Sequence, residues 1–408
     1  MKRFSGVALG VLTAIGGFVD VGNIGTAGEA GSKYGYGLIW AILLGAVAVI
    51  FLIEMVGRLA AVSDKAYADI VREKFGIKFA LVPLTADFIA NFLLLSAEIG
   101  GAGFALYLLT NISFRIWAVV VGGALVSLLL NAKFKVIENG PSILGLVTLC
   151  FVVAVFTLGT PWKHAGKEIV EPRLGNGGTL DYFFIATGLT SAVISPYLLS
   201  FYSSGAQEEG WTRSMIRQNR FIAAFGMSLG AILTIAIAMV CAEVLQPRGI
   251  EVNQLQTVGL PLTEAFGRSG VYLFAITLFV CCFGAAIELC LTEAFNVTQQ
   301  MGWKYAVDGS PREVPIFSLT YVLMPVLATI FIAAWGIDPL QLTIVTMVII
   351  ALFLPVDIIP FLIVMNDPAY LRDQTNSWIA NIAVLLITLM AFVLSIIVLP
   401  LTFFAGGG

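Results

Sequence analysis

The chain has 408 residues, of which 59% are hydrophobic and only 12% are charged, and its formal net charge is −3. A soluble domain has about 25% charged residues, so this composition excludes a soluble protein and indicates one with many membrane spans. The sequence contains no basic patch suited to nucleic acid. Its five cysteines lie in apolar segments without the spacing of a zinc site or a disulfide framework.

Eleven segments are apolar enough to cross a bilayer, which requires about 20 residues each. In chain order they cover approximately 5–32, 37–62, 78–109, 114–131, 136–160, 180–207, 219–245, 270–301, 314–335, 339–365 and 376–403. Short amphipathic connectors are predicted at 64–75 and 211–219, and the longest loops at 161–178 and 246–269. The final glycines, 406–408, resemble an engineered tail.

Lysine and arginine are distributed unequally between alternate loops. One set of loops holds fifteen of them and the other holds seven. Because cytoplasmic loops carry the excess of positive residues, the N-terminus is predicted to be cytoplasmic. An odd number of spans then places the C-terminus outside. We expect an integral protein of a bacterial cytoplasmic membrane.

The first span carries an aspartate and an asparagine near its centre, Asp20 and Asn23, among four glycines. A carboxylate at this depth costs roughly 2.5 kcal/mol or more, so such residues are functional-site candidates. Unwound backbone is tolerated there only where it faces protein or water. The pattern predicts a helix that is broken at 20–24 and builds a substrate site at mid-membrane.

The sixth span contains Pro196, which cannot donate a backbone hydrogen bond and therefore predicts a break at 193–197. The broken spans are the first and the sixth, five spans apart. This spacing is typical of two inverted five-helix repeats whose breaks face each other. The predicted division is 1–160 and 161–366 for the repeats, and 367–405 for an additional eleventh helix.

Several further acids lie within apolar spans, and no Lys or Arg lies deep in any span to pair with them. The candidates for a pathway through the protein are Asp87, Glu98 and Glu288. Because the buried ionisable groups are all acidic, a path for cations is favoured over a path for anions. The alternative for each acid is a structural role, hydrogen-bonded to backbone.

Several motifs resemble the Nramp family of divalent-metal transporters. The run Asp20-Val21-Gly22-Asn23 resembles the family's Asp-Pro-Gly-Asn motif, and Ala97-Glu98-Ile99-Gly100 resembles its third-helix motif. Further matches follow the first motif at 30–36 and open the fifth and eleventh spans at 136–138 and 376–378. The resemblance covers nearly the whole chain. It implies an all-α membrane protein with a LeuT-type fold.

The chain also departs from the family. Ser195-Pro196-Tyr197 stands where the family has Met-Pro-His, and Leu95 where it has an aspartate. The segment 314–335 contains no arginine, and Met347 lies near a family glutamine. The resemblance therefore implies a metal site that is half retained and a proton path that is largely lost.

The predicted substrate ligands are oxygens. They are the side chains of Asp20, Asn23 and Ser195 and the carbonyls of Gly17 and Ala192, with the phenol of Tyr197 beside them. Oxygen donors suit Mg²⁺ and Mn²⁺, whereas cadmium prefers sulfur, so weak Cd²⁺ binding is expected. In the alternative interpretation, Asp20 only caps a half-helix beginning near Ile24.

Four functions fit the sequence. The first is a transporter of a divalent cation, Mg²⁺ or Mn²⁺, that is not coupled to protons. The second is a transporter of a small anion such as bicarbonate, the third an organic-solute carrier, and the fourth a membrane sensor. No enzyme motif, cofactor site or nucleic-acid partner is predicted. The expected partners are an inorganic ion and the bilayer, and the oligomeric state stays open, although a monomer is compatible with the sequence.

Overall fold

The computed structural model describes residues 19–131, 145–172, 178–307 and 309–405, and within these ranges all regular structure is helical. In chain order the α-helices are α1 (Val21–Tyr34), α2 (Ile39–Ser63), α3 (Tyr67–Phe75), α4 (Ile77–Thr110), α5 (Phe114–Asn131), α6 (Leu149–Thr157), α7 (Trp162–Val170), α8 (Gly178–Ile194), α9 (Pro196–Glu208), α10 (Ile216–Val244), α11 (Leu255–Val258), α12 (Leu260–Phe266), α13 (Ser269–Met301), α14 (Pro315–Trp335), α15 (Pro339–Met365), α16 (Pro368–Leu371) and α17 (Trp378–Ala405).

Nine helical segments in the described ranges are long and apolar enough to cross a membrane. They coincide with nine predicted spans, the second to fourth and the sixth to eleventh. The first and fifth spans lie partly outside the described residues, which include only α1 of the former and α6 of the latter. The prediction of an all-α membrane protein is confirmed.

The two long loops of the sequence analysis were predicted wrongly, because both contain helices. After α6 the chain bends by 106° into α7, which lies within the supposed loop 161–178. The segment 246–269 contains α11 and α12. A proline stands at the N-terminus of both α7 and α12, where its missing N–H costs nothing and its fixed φ favours a helical start. The amphipathic connector predicted at 64–75 is present as α3.

The break in the first span ends earlier in the chain than predicted. The backbone is extended at Asp20, with φ −110° and ψ −177°, and α1 begins at the next residue. Residues 21–24 are therefore helical, not unwound. The reason is the cap itself, since the Asp20 side chain accepts a hydrogen bond from the Asn23 amide and closes the first turn.

The break in the sixth span is a single residue, Ser195, and not the predicted segment 193–197. Ser195 has φ 36° and ψ 87° and separates α8 from α9. Its amide still donates to the Ser191 carbonyl, so the hydrogen bonds of α8 continue up to the break. Pro196 occupies the first position of α9, where proline is well tolerated. The sixth span thus stays one crossing, Gly178–Glu208, with a kinked centre.

The core of the molecule brings the broken spans together. Helix α1 packs against α8, α10 and α15, and α4 lies along α13. A close approach of two backbones lies at Gly31 of α1, where an added Cβ would lie 2.1 Å from the Ala238 carbonyl oxygen of α10. Small residues permit such close packing of membrane helices. The division into repeats at 1–160 and 161–366 stays a prediction.

Candidate functional site

Asp20 lies at the start of α1 and is completely buried. Its Oδ1 accepts hydrogen bonds from the Asn23 backbone amide at 2.8 Å and from Asn23 Nδ2 at 3.1 Å. Its Oδ2 is buried and has no hydrogen-bond partner among the described residues. Capping therefore accounts for one carboxylate oxygen only.

Asn23 joins the two broken spans. Its Nδ2 donates to the Ala192 carbonyl of α8 at 3.3 Å, and its Oδ1 accepts from the Thr234 hydroxyl of α10 at 3.1 Å. The Ser195 hydroxyl donates to the same Ala192 carbonyl at 2.6 Å. Four of the predicted ligand residues thus lie together in one hydrogen-bonded group. Gly17, whose carbonyl was the fifth predicted ligand, lies outside the described residues.

The carboxylate of Glu98, on α4, lies at the N-terminus of α1. Its carboxylate accepts from the Val21 amide, with 3.1 Å to Oε1 and 3.4 Å to Oε2, and the Cys282 thiol of α13 bonds to it as well. Unpaired amides make a helix N-terminus partly positive. Two buried carboxylates, Asp20 and Glu98, therefore occupy the amides of one helix start. Glu98, predicted as a pathway acid, lies beside the site.

The sequence analysis did not include Met347 of α15 in the site. An ideal Cβ on Gly22 would lie 2.9 Å from Asp20 Oδ1 and 3.1 Å from Met347 Sδ, so the carboxylate and the thioether flank one point. Met347 is fully buried, and its carbonyl accepts from the Ser191 hydroxyl of α8. A thioether sulfur therefore lies beside the oxygen donors predicted from the sequence.

Thr234 was also missed. It lies on a helix whose sequence is apolar on every side, and one threonine in such a helix carries no signal without its neighbours. Met347 offered a weak signal, since it stands where the Nramp family has a polar residue. Neither residue is close to Asp20 in the chain, so only the packing of α10 and α15 against α1 reveals them.

Tyr197, the other predicted substrate contact, lies two residues past Ser195 in α9 and is buried. Together with Pro196 it lines a cavity that also borders Asp87, Asn91 and Asp357. The centre of a water molecule can occupy about 10 Å³ of this cavity, so it has room for about one water molecule. Of the predicted pathway acids, Asp87 therefore belongs to this second region, while Glu288 is buried at the middle of α13.

The site is closed on the side where α1 ends. Lys33 lies 2.9 Å from Glu29 of its own helix and 3.3 Å from Asp181 of α8. The Tyr34 hydroxyl donates to the same Asp181 carboxylate at 2.8 Å. We call these four residues the outer latch. They tie the end of α1 to the start of α8.

A second network closes the opposite side. Arg58 of α2 pairs with Glu54 at 3.1 Å, donates to Asn376 at 2.7 Å and donates to the Gln374 carbonyl. On the connector α3, Lys74 pairs with Asp367 after α15. This hydrogen bond and one from the Ala369 amide hold the pKa of Asp367 below its usual value.

Few charged side chains lie at the site. Within the described ranges no group of three or more His, Cys, Asp or Glu side chains is arranged to hold a metal ion. A zinc-type cage is therefore absent there. The groups on hand are one open carboxylate oxygen, a carbonyl, a hydroxyl and a thioether, which suit an ion that is bound and released again.

Comparison with solved structures defines the class. The fold matches the Eremococcus coleocola manganese transporter, as its H236A mutant, with a TM-score of 0.75 at 19% identity over 98% of this chain and 88% of that one. It also matches Mhp1, a nucleobase-cation-symport-1 family transporter, with a TM-score of 0.64 at 15% identity, covering 96% and 92% of the two chains. The fold is thus the LeuT type found in membrane transporters.

Sequence comparison identifies the family. The profile described as "Natural resistance-associated macrophage protein-like" matches residues 10–400, so this chain belongs to the Nramp family. Among its relatives, the Deinococcus radiodurans protein named divalent metal cation transporter MntH is 26% identical over 370 residues, covering 85% of this chain and 78% of that protein. The protein of that name from Caldanaerobacter subterraneus subsp. tengcongensis is 24% identical over 397 residues, covering 94% and 90%. The resemblance found in the sequence motifs is confirmed.

Proposed function

We propose that this protein carries a divalent cation, Mn²⁺ or Mg²⁺, across the membrane through the site at Asp20. The observation that carries the proposal is the second oxygen of Asp20, which is buried in the middle of a span and has no partner in the described part of the chain. A buried carboxylate without a counter-charge is costly, and a bound cation removes that cost. The relatives named as divalent metal cation transporters support this cargo.

The proposed ligands are Asp20 Oδ2, the Ala192 carbonyl, the Ser195 hydroxyl and the amide oxygen of Asn23. The last three already hydrogen-bond to one another or to Thr234. A cation entering the site competes only with weak neutral contacts. Tyr197 contributes at the exit from the site rather than as a ligand.

The thioether of Met347 favours Mn²⁺ over Mg²⁺. Mg²⁺ requires hard oxygen ligands in near-octahedral geometry, whereas Mn²⁺ accepts a softer and less regular donor set. The Met347 sulfur and the Asp20 carboxylate, through its Oδ1, both lie within about 3 Å of one point, the ideal Cβ position of Gly22, so the sulfur is a neighbour of the carboxylate. The solved structure of a manganese transporter with this fold is consistent with that preference.

The anion alternative has less support from the geometry. Anions bind at helix starts because free amides point at them. At the start of α1 the Val21 amide already donates to Glu98, and the Asn23 amide donates to Asp20. At the start of α9, Pro196 has no amide to offer. A bicarbonate ion would meet two carboxylates and few donors here.

We further propose that the N-terminal end faces the cytoplasm and that the chain lies in a bacterial cytoplasmic membrane, from the asymmetry of Lys and Arg in its loops. On this orientation the outer latch faces outside, and the networks of Arg58 and Lys74 face inside.

The test is a flux panel in proteoliposomes with Mn²⁺, Mg²⁺, Cd²⁺ and bicarbonate, run on the unmodified protein and on Asp20→Ala. We expect uptake of Mn²⁺ by the unmodified protein and none by Asp20→Ala, because only one carboxylate supplies the open oxygen. The matched control is Glu264→Gln, which removes a half-exposed carboxylate paired with Arg248. It is expected to transport normally.

Thermal unfolding of each variant shows whether it is folded. A folded Asp20→Ala protein that transports Mn²⁺ at the normal rate would reduce Asp20 to a helix cap. Uptake of bicarbonate without any metal uptake would establish the anion alternative instead.

A further inference from the structure

The start of α10 presents a surface that is basic at one end and apolar along its length. It begins in the connector 211–219, which the sequence predicts to be amphipathic. Trp211 of this connector is buried in a small apolar cluster with Ala60 of α2, apart from the main core. The three arginines that follow, Arg213, Arg217 and Arg220, are exposed. The connector is therefore fixed to the protein on one side and open on the other.

Two of these arginines already have a carboxylate partner. Arg213 lies 3.0 Å from Asp373, and Arg220 lies 3.3 Å from Glu54. The side chain of Arg217, in contrast, forms no salt bridge or hydrogen bond with any described residue. A guanidinium group has five N–H donors in a planar fork that fits a carboxylate or a phosphate. Arg217 is thus open to an anionic partner.

An exposed apolar stripe continues from Arg217 along α10. Phe221 and Phe225 follow it at intervals of four residues, so the three side chains lie on one face of the helix. The two phenylalanines are 52% and 51% exposed, and their rings stack with centroids 5.5 Å apart and an interplanar angle of 6°. Ile232, 49% exposed, extends the stripe. The two rings offer a flat surface of the kind that an acyl chain can cover.

The stripe has the length of a membrane span, and Arg217 lies at its end. The segment Arg213–Arg248 is long and apolar enough to cross a bilayer. From Arg217 to Ile232 the helix rises by about 22 Å, most of a hydrocarbon core of about 30 Å. The phenylalanines therefore face acyl chains, while Arg217 lies at the level of the lipid headgroups. The phosphate of a headgroup is an anion at that level.

We propose that Arg217, Phe221 and Phe225 form a binding site for one anionic phospholipid. The phosphate oxygens accept two parallel hydrogen bonds from the Arg217 guanidinium, and one acyl chain lies along the stacked rings. A zwitterionic lipid binds less well, because its headgroup adds a positive group next to Arg213 and Arg220. The site involves no cation and therefore does not depend on the proposed function.

A second copy of this chain is the competing occupant of the stripe. A protein partner would cover Phe221 and Phe225 with apolar side chains and would need a carboxylate opposite Arg217. The lipid explains the apolar stripe and the unpaired charge together, because an anionic phospholipid combines an acyl chain with a phosphate at the required spacing.

The experiment is native mass spectrometry of the full chain, stripped of lipid and titrated with phosphatidylglycerol or with phosphatidylcholine of the same acyl chains. The first phosphatidylglycerol should bind the unmodified protein about fivefold more tightly than the first phosphatidylcholine. Arg217→Gln should remove this preference. Arg217→Lys should retain part of it, because the charge remains and the planar fork is lost.

The matched control is Arg312→Gln. Arg312 is also exposed and has no salt bridge or hydrogen bond of its side chain in the described ranges, but it lies in the turn before α14. Its replacement should leave both lipid affinities unchanged. Thermal unfolding in lipid-free detergent should give equal melting temperatures for all variants. Added phosphatidylglycerol should raise the melting temperature of the unmodified chain and of Arg312→Gln more than that of Arg217→Gln.

Two results would overturn the lipid site. Equal affinities for phosphatidylglycerol and phosphatidylcholine in the unmodified chain would show that the surface does not select an anionic lipid. A preference for phosphatidylglycerol that survives Arg217→Gln unchanged would place the lipid elsewhere. The same spectra report the oligomeric state, so a dimer that Phe221→Ala converts to monomers would assign the stripe to a second copy of the chain instead.

Discussion

The two carboxylate oxygens of Asp20 have different environments, and this difference decides which roles the residue can have. Oδ1 is fully used within the first turn of α1, and Oδ2 has no partner in the described part of the chain. The sequence left open whether Asp20 only caps a helix or also binds the substrate. The geometry is compatible with both at once, because each requires a different oxygen. An asparagine at this position would retain the cap and lose the charge.

Met347 is the residue that sets metal preference in this interpretation. Replacing its thioether by an isosteric hydrocarbon, Met347→Leu, should weaken Cd²⁺ binding on the order of tenfold, equivalent to about 1.4 kcal/mol. Mn²⁺ binding should fall less and Mg²⁺ binding should stay unchanged, because sulfur contributes least to the hardest ion. Competition of the three metals in calorimetry measures the effect.

The control for this prediction lies on the same helix. Met365 of α15 is equally buried but eighteen residues away, so Met365→Leu should leave all three affinities unchanged. Equal Cd²⁺ affinity in the unmodified chain and in Met347→Leu would show that the Met347 sulfur does not bind the metal. Weak Cd²⁺ binding by both would restore the all-oxygen interpretation.

At the scale of elements, the contact of α1 with α10 has little room for a side chain. Gly31→Ala places a Cβ 2.1 Å from the backbone carbonyl oxygen of Ala238. Because a backbone carbonyl cannot rotate away as a side chain can, the two helices must separate. Overpacking of this kind costs about 1–3 kcal/mol. We expect a clearly lower melting temperature for Gly31→Ala. Because α1 carries Asp20, metal binding should weaken as well.

Gly123 of α5 is the matched control, since an added Cβ there meets no heavy atom within 4 Å. Alanine is favoured over glycine in a helix interior by roughly 0.5–1 kcal/mol, so Gly123→Ala should leave the melting temperature unchanged or raise it. Equal melting temperatures for Gly31→Ala and Gly123→Ala would show that α1 is not packed tightly on α10.

The outer latch is the second element-level feature. Asp181→Asn keeps an acceptor for Tyr34 but removes the charge that Lys33 faces across the gap between α1 and α8. A partly exposed ion pair contributes roughly 1 kcal/mol or less, so the open state should gain up to about fivefold in population. The measurement is labelling of Ala27→Cys, buried on the outer half of α1, by a membrane-impermeant maleimide.

Labelling should rise when Asp181→Asn is added to Ala27→Cys and should not rise when Glu264→Gln is added. The native cysteines are buried apart from the half-buried Cys150, and labelling of the parent chain provides their background. An unchanged labelling rate with Asp181→Asn would mean that the latch does not control the outer opening.

At the scale of the whole molecule, the question is what moves together with the cation. A proton relay needs exchanging groups within hydrogen-bond reach of one another. Leu95 cannot exchange a proton, and a tyrosine phenol such as that of Tyr197, with an ordinary pKa of about 10, exchanges one poorly at neutral pH. Glu98 is engaged by the Val21 amide. We therefore expect cation flux without stoichiometric proton movement, driven by the membrane potential at about 2.3 kcal/mol per charge per 100 mV.

A pH-sensitive dye enclosed in proteoliposomes tests this during Mn²⁺ uptake. The internal pH should stay constant while Mn²⁺ enters, and an imposed negative internal potential should accelerate uptake. Acidification that follows Mn²⁺ uptake and disappears in Glu98→Gln would show coupling through Glu98. If neither the unmodified protein nor Glu98→Gln acidifies the liposomes, and Glu98→Gln takes up Mn²⁺ at an unchanged rate, Glu98 acts only at the start of α1.

The sequence by itself determined the membrane class, the order of spans and the family, because apolar length and local motifs are properties of contiguous residues. It also predicted Asp20, Asn23, Ala192 and Ser195 as ligands of one site from two short motifs, and the structure brings these four residues together. Only the tertiary structure decided which oxygen of Asp20 has no partner among the described residues and that residues 21–24 are helical. It likewise decided that the break in the sixth span is Ser195 alone and that 161–178 and 246–269 contain helices. Capping geometry and proline placement act at single residues, below the resolution of a hydropathy pattern. The structure alone also brought Met347 and Thr234 to the site and Asp87 to Asp357. These residues are far apart in the chain, and their proximity follows from helix packing, which no local pattern encodes.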